Sequence, residues 1–408
     1  MGEILFLAHR IPFPPDRGDK IRSHHVLKAL AALAPVHLGC FADDEADHAC
    51  EGEMAALAQS HLLLPRGKSL AVAGLEALIG GDPLSLAAFR DRRMREWVER
   101  IVANRPIETI FVFSGQMAQY VPKTYRGRLI VDLVDVDSAK FEAYGAKGRG
   151  FRGWMERREG RLLRAEEARI ARRADRTLLV SKAEAALFAA RLGEPENRIE
   201  SMGNGIDSAL FDPARVVPEP RMLAIEGPRL VFTGQMDYAP NIEAVERAMD
   251  RILPLVRARL PQASLHVVGR NPPASLLARH GREGVHVWGR VADIRPWLAA
   301  ADLALVPLEI ARGVQNKVLE AMAMALPSVL STGAATGIDA VDGRDFAMAE
   351  SDEALAERVL ALSCDRDRAR NMGQAARTWI LANASWEAAL ADLPHMLALS
   401  QESLNDAA

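Results

Sequence analysis

Short apolar runs alternate with longer stretches of helical periodicity along almost the whole chain. Most runs are continuous and do not alternate with polar residues, which is typical of parallel strands buried on both faces. The runs are residues 4–8, 36–41, 110–113, 129–133, 177–180, 229–233, 264–268, 285–287, 303–306 and 328–330. Helical patterns between them cover residues 21–33, 54–60, 183–191, 242–259 and 318–325. This order predicts an α/β fold with parallel sheets.

A change of pattern near residues 207–228 predicts a domain boundary. Prolines at positions 213, 218, 220 and 228 interrupt both periodicities, and a new strand pattern opens at Arg229. The 408 residues also exceed what one core usually organises. We predict two Rossmann-like, doubly wound domains facing across a cleft. Their expected limits are residues 1–205 and 229–385, with a linker at 206–228 and a last helix at 386–400 that rejoins the first domain.

Composition and charge exclude several classes of protein but do not identify a function. The net charge of −3 gives no overall attraction to nucleic acid. Three cysteines exclude a disulfide framework and fit a reducing compartment. Cys40, His48 and Cys50 lack a second ligand cluster, so no metal site is expected. The first residues read as a strand and not as a signal peptide, and no apolar run reaches the roughly 20 residues of a membrane span. A cytoplasmic location is expected, with or without peripheral membrane contact.

The segment that follows the strand at 303–306 has the composition of an anion-binding helix start. Gly313 permits close backbone approach, and the amides of residues 314–316 are expected at the helix N-terminus, where unpaired N–H groups favour a diphosphate. Lys317 adds a positive charge. Glu320 shares its face three residues later, and a carboxylate there can accept both ribose hydroxyls of a nucleotide. The alternative is an ordinary strand–loop–helix turn with a surface lysine and glutamate.

A series of motifs extends in order across nearly the whole chain. Residues 319–329, LEAMAMALPSV, are similar to a LEAMAxGxPVV signature. The other matches are Val180-Ser181 with Glu184, residues 202–207 with Phe211 and Pro213, Phe232-Thr233-Gly234, Val268-Gly269, and Ala301-Asp302-Leu303 with Pro307. Together they resemble glycosyltransferase family 4, a group of GT-B enzymes. Residues 234–241 and 315–317 resemble a narrower branch, the sugar transferases associated with exosortase (PEP-CTERM) exopolysaccharide systems.

The resemblance implies a GT-B fold and a retaining, metal-independent glycosyltransferase without a cofactor. Such an enzyme moves a sugar from a nucleotide-diphosphate sugar to a glycan or lipid-linked glycan acceptor, here in exopolysaccharide biosynthesis. Two other interpretations remain open: a non-hydrolysing nucleotide-sugar epimerase, and a non-catalytic GT-B partner subunit. A dinucleotide dehydrogenase is disfavoured, because no G-x-G-x-x-G follows either opening strand.

Three positions depart from the family pattern. The glutamate expected eight residues before Glu320 is Arg312, and the arginine and lysine expected after the strand at 229–233 are Gln235 and about Asn241. A buried diphosphate needs cationic compensation. We therefore expect the charge to be re-sited, mainly to Lys317. Further candidates for this charge are Arg270, Arg290 and Arg312.

Two loops of the first domain carry further candidates. Gly18 is expected to allow a tight turn beside the cleft, in a loop that resembles the family's P…GG loop with Asp19 in place of its second glycine. The alternative is a proline-rich surface loop capped by Asp19. Asp135 and Asp137 share a face if the strand at 129–133 continues, and either can orient or deprotonate an acceptor hydroxyl. The alternative is a pair of solvated carboxylates that cap the next helix. His9 is a further acceptor-binding candidate.

The expected site has donor-side and catalytic members. The donor-binding candidates are Gly18, Asp19, Gly234, Gln235, Arg270, Arg312, Gly313, Val314, Gln315, Asn316 and Glu320, and the catalytic candidates are Lys317, Asp135 and Asp137. A basic stretch at residues 147–173 adds an interaction candidate. Its arginines and Trp154 suit anionic lipid headgroups at the inner membrane, whereas its interleaved glutamates suit a salt-bridged, solvated helix.

Overall fold

The structure, a computed structural model, describes residues 2–148, 150–193, 198–309 and 314–397. The chain forms two compact units. The first contains the residues up to Asn204 together with the segment from Ala389, and the second is Gly205–Ala388. No helix in the described ranges is long and apolar enough to cross a bilayer.

The first unit is built on a parallel sheet of seven strands in the order β3-β2-β1-β4-β5-β6-β7. The strands are β1 Glu3–Ala8, β2 Val36–Ala42, β3 Ser60–Pro65, β4 Ile107–Phe113, β5 Arg128–Val134, β6 Arg176–Leu179 and β7 Ile199–Ser201. The helices are α1 Gly18–Leu33, α2 Glu45–Ala49, α3 Glu51–Ala55, α4 Leu70–Gly80, α5 Leu84–Ala88, α6 Arg92–Asn104, α7 Asp137–Lys147, α8 Gly150–Arg173 and α9 Lys182–Leu192, with a 3₁₀ turn at Gly115–Tyr120. Every residue of β1 and β2 is buried, as expected for strands covered on both faces.

The second unit is built on a parallel sheet of six strands in the order β10-β9-β8-β11-β12-β13. The strands are β8 Arg229–Thr233, β9 Ser264–Val268, β10 Val285–Gly289, β11 Leu303–Val306, β12 Ser328–Leu330 and β13 Ala347–Met348. The helices are α10 Pro220–Leu223, α11 Ala239–Arg247, α12 Leu253–Arg257, α13 Ala274–Leu277, α14 Arg295–Ala300, α15 Asn316–Ala323, α16 Asp352–Cys364, α17 Arg366–Asn383 and α18 Trp386–Ala389, which runs to the unit boundary. The last helix, α19 Leu393–Met396, lies in the first unit.

The predicted α/β class with two parallel sheets is confirmed, but several elements differ. Residues 54–60 were expected to be helical, whereas α3 ends at Ala55 and Ser60 begins β3, a strand whose residues are mostly half-buried. The helix expected at 242–259 contains a wide turn at Ala248–Ile252, just before Pro254, which has no N–H to donate. Two short edge strands, β7 with three residues and β13 with two, were also missed.

The segment predicted as a linker, residues 206–228, belongs to the second unit. Ile206 pairs with Ser385 in a parallel bridge, and Met222 is fully buried. The prolines interrupt regular structure there without separating the segment from the core. The last helix, expected at 386–400, is instead two short helices within the described residues, α18 and α19. Arg128 of β5 donates a hydrogen bond to the carbonyl oxygen of Leu397, which ties this segment to the first sheet.

Candidate functional site

Two loops touch at the carboxyl ends of β8 and β9. The amide of Gly234 donates to the carbonyl oxygen of Val268 across 3.1 Å. A Cβ atom on Gly269 would lie 1.6 Å from the Gly234 carbonyl oxygen, and Gly234 itself has a φ of +152°. Only glycines fit this contact, because a side chain at either position meets a backbone atom or a strained conformation. This edge of a parallel sheet is where open α/β folds bind their ligands.

The ammonium group of Lys317 lies beside this contact and is held by neutral groups. Asn241 of α11 is 5% exposed, and its Oδ1 accepts a hydrogen bond from Lys317 Nζ across 2.6 Å. Its Nδ2 donates to the carbonyl oxygen of Gln235 across 2.8 Å. The Lys317 Nζ also lies 5.0 Å from the ring centroid of Phe232, at the end of β8. Within the described ranges no carboxylate is at salt-bridge distance from this ammonium group.

Burial sets the electrostatics of Lys317 and Glu320, which lie three residues apart on α15. Burial lowers the pKa of Lys317 to about 8, and the charge of Glu320 offsets only part of this effect. Burial likewise raises the pKa of Glu320, and Lys317 partly opposes that rise. No side chain in the described part of the chain donates a hydrogen bond to the Glu320 carboxylate. A desolvated cation and a desolvated carboxyl on one helix face are typical of functional sites.

The guanidinium group of Arg270 contacts the second neutral amide. With the Gln235 side chain oriented so that its oxygen faces Arg270, Nε donates to that oxygen across 2.7 Å. Gln235 and Asn241 are the two positions where the sequence lacks the expected cations. Each of them instead accepts from a cation that another element supplies, Arg270 from the loop after β9 and Lys317 from α15. The two positive charges therefore lie at the ends of one hydrogen-bonded chain.

The start of α15 provides backbone donors close to Lys317. The helix begins at Asn316, after Gln315 in an extended conformation without a side-chain cap. The amides of Val318 and Leu319 donate to the Gln315 carbonyl oxygen, whereas those of Asn316 and Lys317 have no backbone acceptor in the described ranges. The amide of Val314, which was expected at the helix N-terminus, lies before the first turn, and the amides available there are those of Asn316 and Lys317. The predicted contacts of Arg312 and Gly313 lie outside the described residues.

The first-unit candidates Gly18 and Asp19 begin α1. Gly18 does not have a positive φ, and a Cβ atom there would meet no atom within 4 Å, so neither the backbone conformation nor a close contact requires a glycine at this position. Asp19 forms ion pairs with Arg10 at 2.8 Å and Arg17 at 3.1 Å, and lies 3.3 Å from His9. Burial alone would raise the Asp19 pKa, but the hydrogen bond with His9 and the neighbouring positive charges hold it well below its usual range. Asp19 therefore bears a negative charge that this cluster already neutralises.

Asp135 and Asp137 come together, though not through a continued strand. β5 ends at Val134, whose φ of +70° turns the chain, and Asp137 is the first residue of α7. Both carboxylates contact the ammonium group of Lys140, at 2.7 and 3.3 Å. Burial lowers the pKa of Lys140, but the two carboxylates outweigh it and raise the pKa overall. The prediction that they share a strand face is therefore wrong, because the turn at Val134 ends the strand.

A buried ion pair between α1 and β5 was not predicted. Arg22 is 1% exposed and Asp132 is fully buried, and Arg22 Nε donates to Asp132 Oδ2 across 2.8 Å. Arg22 also donates to the Gly203 carbonyl oxygen and the Asn204 side chain, at 3.1 and 2.9 Å. The pair fixes the end of β5 and the last residues of the first unit. A charged residue inside an apolar strand pattern, as at Asp132, was the available signal.

Metal ligands do not cluster in the described ranges, where no group of three or more His, Cys, Asp or Glu side chains is placed to hold an ion. Cys40, one member of the weak metal pattern, is fully buried beside the Met54 sulfur atom, and burial raises the pKa of its thiol.

Solved structures share the architecture described above. The chain superposes on HepE from Anabaena in complex with UDP with a TM-score of 0.62 and 14% identity, covering 98% of this chain and 100% of that one. It superposes on WaaG, a glycosyltransferase involved in lipopolysaccharide biosynthesis, with a TM-score of 0.56 and 18% identity, covering 96% and 99%. The two α/β units are therefore those of the GT-B fold, as predicted.

One family model matches within the second unit. Residues 227–365, which include Gly234, Asn241 and Lys317, match the family described as "Glycosyl transferases group 1". The GDP-mannose-dependent alpha-(1-6)-phosphatidylinositol monomannoside mannosyltransferase of Mycobacterium tuberculosis is 30% identical over 254 residues, which is 56% of this chain and 63% of that protein. The match thus covers somewhat less than two thirds of that relative.

Proposed function

We propose that this protein is a retaining glycosyltransferase that takes its sugar from a nucleoside-diphosphate donor. The observation that carries the proposal is the placement of Lys317 and Arg270 on the amides of Asn241 and Gln235. In this proposal the two cations supply the positive charge that a donor diphosphate requires, and both lie within the region that matches group 1 glycosyl transferases. This arrangement supports re-siting of the charge over its loss.

The donor diphosphate is expected to bind Lys317 and the two amides at the start of α15 that have no backbone acceptor within the described ranges. During transfer, the bond between the anomeric carbon and the phosphate oxygen breaks, and a bond to the acceptor oxygen forms on the same face. The leaving phosphate oxygen takes the acceptor proton, so no protein nucleophile is required. Negative charge develops on the diphosphate as the bond breaks. A pre-positioned cation and oriented amides stabilise that charge without further rearrangement.

Glu320 is the proposed ligand of the donor ribose. Its carboxylate has no hydrogen-bond donor among the described residues, and burial already raises its pKa. Two ribose hydroxyls would supply the missing donors and offset the desolvation of the carboxylate. Asp135 and Asp137 remain candidates for orienting the acceptor, for which the proposal names a glycan or a lipid-linked glycan. We propose the exopolysaccharide role and the absence of a metal requirement from the sequence resemblance, and the cytoplasmic location from the few cysteines, which fit a reducing compartment.

Two donors are the first to test. HepE has been solved with UDP-glucose, and the mycobacterial relatives are GDP-mannose-dependent. Isothermal calorimetry with UDP and GDP measures the nucleotide preference, and turnover is then followed with the matching sugar nucleotide. Sugar transfer that occurs only when an acceptor is added supports the proposal. The rate of this transfer should be the same after metal ions are removed with a chelator. Consumption of the donor sugar without an acceptor identifies an epimerase, and absence of nucleotide binding identifies a non-catalytic subunit.

The ribose assignment is tested by Glu320→Ala. Hydrogen bonds to charged groups contribute about 1.5–3 kcal/mol each, so losing them should raise the Kd for UDP by about tenfold or more. Glu243→Ala, at an exposed position of α11, is the matched control and should bind UDP like the wild type. Unchanged affinity in Glu320→Ala rules out the ribose contact.

A further inference from the structure

Helix α4 in the first unit is apolar on the side that faces solvent. It packs on the protein through Ala73 and Ala77, which are 0% and 2% exposed. Its large side chains point outward: Val72, Leu75, Leu78 and Ile79 are 51%, 60%, 50% and 80% exposed. Ordinary surface helices bury the large apolar residues and expose the polar ones. The reversed arrangement of α4 leaves contiguous aliphatic surface in water, which marks an interaction site.

Charge is nearly absent from this helix. Glu76 is the single charged residue in the eleven-residue sequence LAVAGLEALIG, and its carboxylate pairs with Lys68 at 2.7 Å. The exposed face therefore carries no group that selects a charged protein partner. Its members are aliphatic, whereas energetically dominant residues of protein interfaces are mainly Trp, Tyr and Arg.

Helix α8 holds α4 in place and adds positive charge beside it. Arg158 of α8 donates to the Ala77 carbonyl oxygen across 2.8 Å and to the Asp82 carbonyl oxygen across 3.2 Å. One turn earlier on the same face lies Trp154, which is 47% exposed. One turn later the same face presents Arg161, which is exposed. The sequence of α8 holds eight arginines and four glutamates, so this helix is strongly positive.

The arginines also line a shallow hollow between α8 and α9, with a volume of about 300 Å³. Arg161, Arg164, Arg172 and Arg191 contribute to its wall. The carboxylate in the wall, Glu167, already accepts hydrogen bonds from the amide and hydroxyl of Ser138. Arg191 already donates to Glu142 across 2.8 Å. A phosphate in the hollow would therefore be bound mainly by Arg161 and Arg164, since arginine presents a rigid set of donors to such oxygens.

We propose that α4 and the basic face of α8 dock on an anionic phospholipid bilayer. The aliphatic side chains of α4 enter the boundary between headgroups and acyl chains, Trp154 lies at the interface, and the arginines of α8 contact lipid phosphates. An apolar helix next to a basic one combines the two forces that hold peripheral proteins on membranes, apolar burial and attraction to anionic lipid. Membrane docking and donor binding are tested separately, since vesicle flotation needs no nucleotide and UDP calorimetry needs no vesicles. Failure of one proposal therefore leaves the other standing.

Flotation of the full chain with vesicles tests the docking surface. Wild type should float with vesicles of phosphatidylcholine and phosphatidylglycerol, less with phosphatidylcholine alone, and less at high salt. Leu75→Glu combined with Ile79→Glu should lower the bound fraction about tenfold or more, because it removes apolar burial and adds negative charge. The matched control is Leu381→Glu on α17, where the leucine is 46% exposed, and it should bind like the wild type.

Arginine variants separate the electrostatic part. Arg161→Gln combined with Arg164→Gln should weaken binding to anionic vesicles and leave binding to phosphatidylcholine alone unchanged. Arg358→Gln, at an exposed position of α16, is the control. Failure of the wild type to bind anionic vesicles overturns the proposal, as does equal binding by the α4 double variant with unchanged thermal stability. A solution dimer that the double variant dissociates, without vesicle binding by the wild type, shows that a second copy covers α4.

Discussion

Replacement of Lys317 by methionine should stabilise the ligand-free protein while weakening its hold on a diphosphate. Burial lowers the pKa of this lysine from 10.5 to about 8. At about 1.4 kcal/mol per pKa unit, that difference corresponds to about 3 kcal/mol of destabilisation of the charged form. The variant also loses the hydrogen bond to Asn241, worth about 1 kcal/mol. The expected net gain in the free energy of unfolding at pH 7 is therefore about 2 kcal/mol.

The dependence on pH fixes the sign of this effect. The folded pKa lies below the unfolded one, so between about pH 8 and pH 10.5 the unfolded chain binds more protons than the folded chain. The contribution of Lys317 to the free energy of unfolding of the wild type must therefore become more favourable as the pH rises through this window. The destabilisation is complete below pH 8 and has disappeared above pH 10.5. Methionine does not titrate, so the advantage of the variant shrinks over the same interval.

Thermal unfolding of the ligand-free protein measures the effect. A gain of about 2 kcal/mol in a unit of this size raises Tm by about 4–8 °C, and most of that increase should be lost by about pH 10. Lys123→Met replaces an exposed loop lysine and serves as the control, with no change expected at either pH. An unchanged or lower Tm for Lys317→Met at pH 7 contradicts the argument. So does an increase of the same size at both pH values.

Further predictions concern the ligand and two structural contacts. Calorimetric affinity for UDP should be constant from about pH 7, where the terminal phosphate is already ionised, to pH 8, and should fall above pH 8, because bound diphosphate raises the Lys317 pKa; a profile that stays flat above pH 8 contradicts that role. Gly269→Ala places a Cβ atom 1.6 Å from a carbonyl oxygen and should lower Tm and abolish UDP binding, whereas Gly52→Ala, with open space, should do neither. Asp132→Leu should lower the free energy of unfolding in urea by about 3–5 kcal/mol, because Arg22 is left buried without its partner. Adding Arg22→Met should recover most of this loss. Without such recovery, an unpaired buried charge is not the cause of the loss.

The sequence predicted the strands correctly wherever they are continuous apolar runs. Five of the predicted strands in the second half lie within or coincide with β8 to β12. The missed strands had weaker signals. β13 has two residues, and β3 follows a helical pattern without the burial of a central strand. A continuous apolar run indicates a strand that is buried on both faces. An edge strand that is short or only half-buried therefore gives a weaker signal of this kind.

The sequence predicted those features of the site that depend on the spacing of residues along one helix. The spacing of Lys317 and Glu320 placed them on one face, and the structure couples their charges. The acceptor of the lysine, Asn241, is 76 positions away and could be found only from the folded chain. The same holds for Arg22 and Asp132, separated by 110 positions. The sequence indicated neutral residues at 235 and 241 and a charge re-sited to Lys317 or Arg270, but not that these cations contact the two neutral side chains directly.

The contact between Lys317 and Asn241 has an evolutionary consequence. A lysine at position 241 would bring a second ammonium group to the place where Asn241 Oδ1 now lies 2.6 Å from Nζ. Two like charges in a partly desolvated position repel each other strongly. Either position can supply the cation, but not both at once. The two sites should therefore change together during divergence, and a single replacement toward lysine at 241 should be tolerated only after position 317 has become neutral.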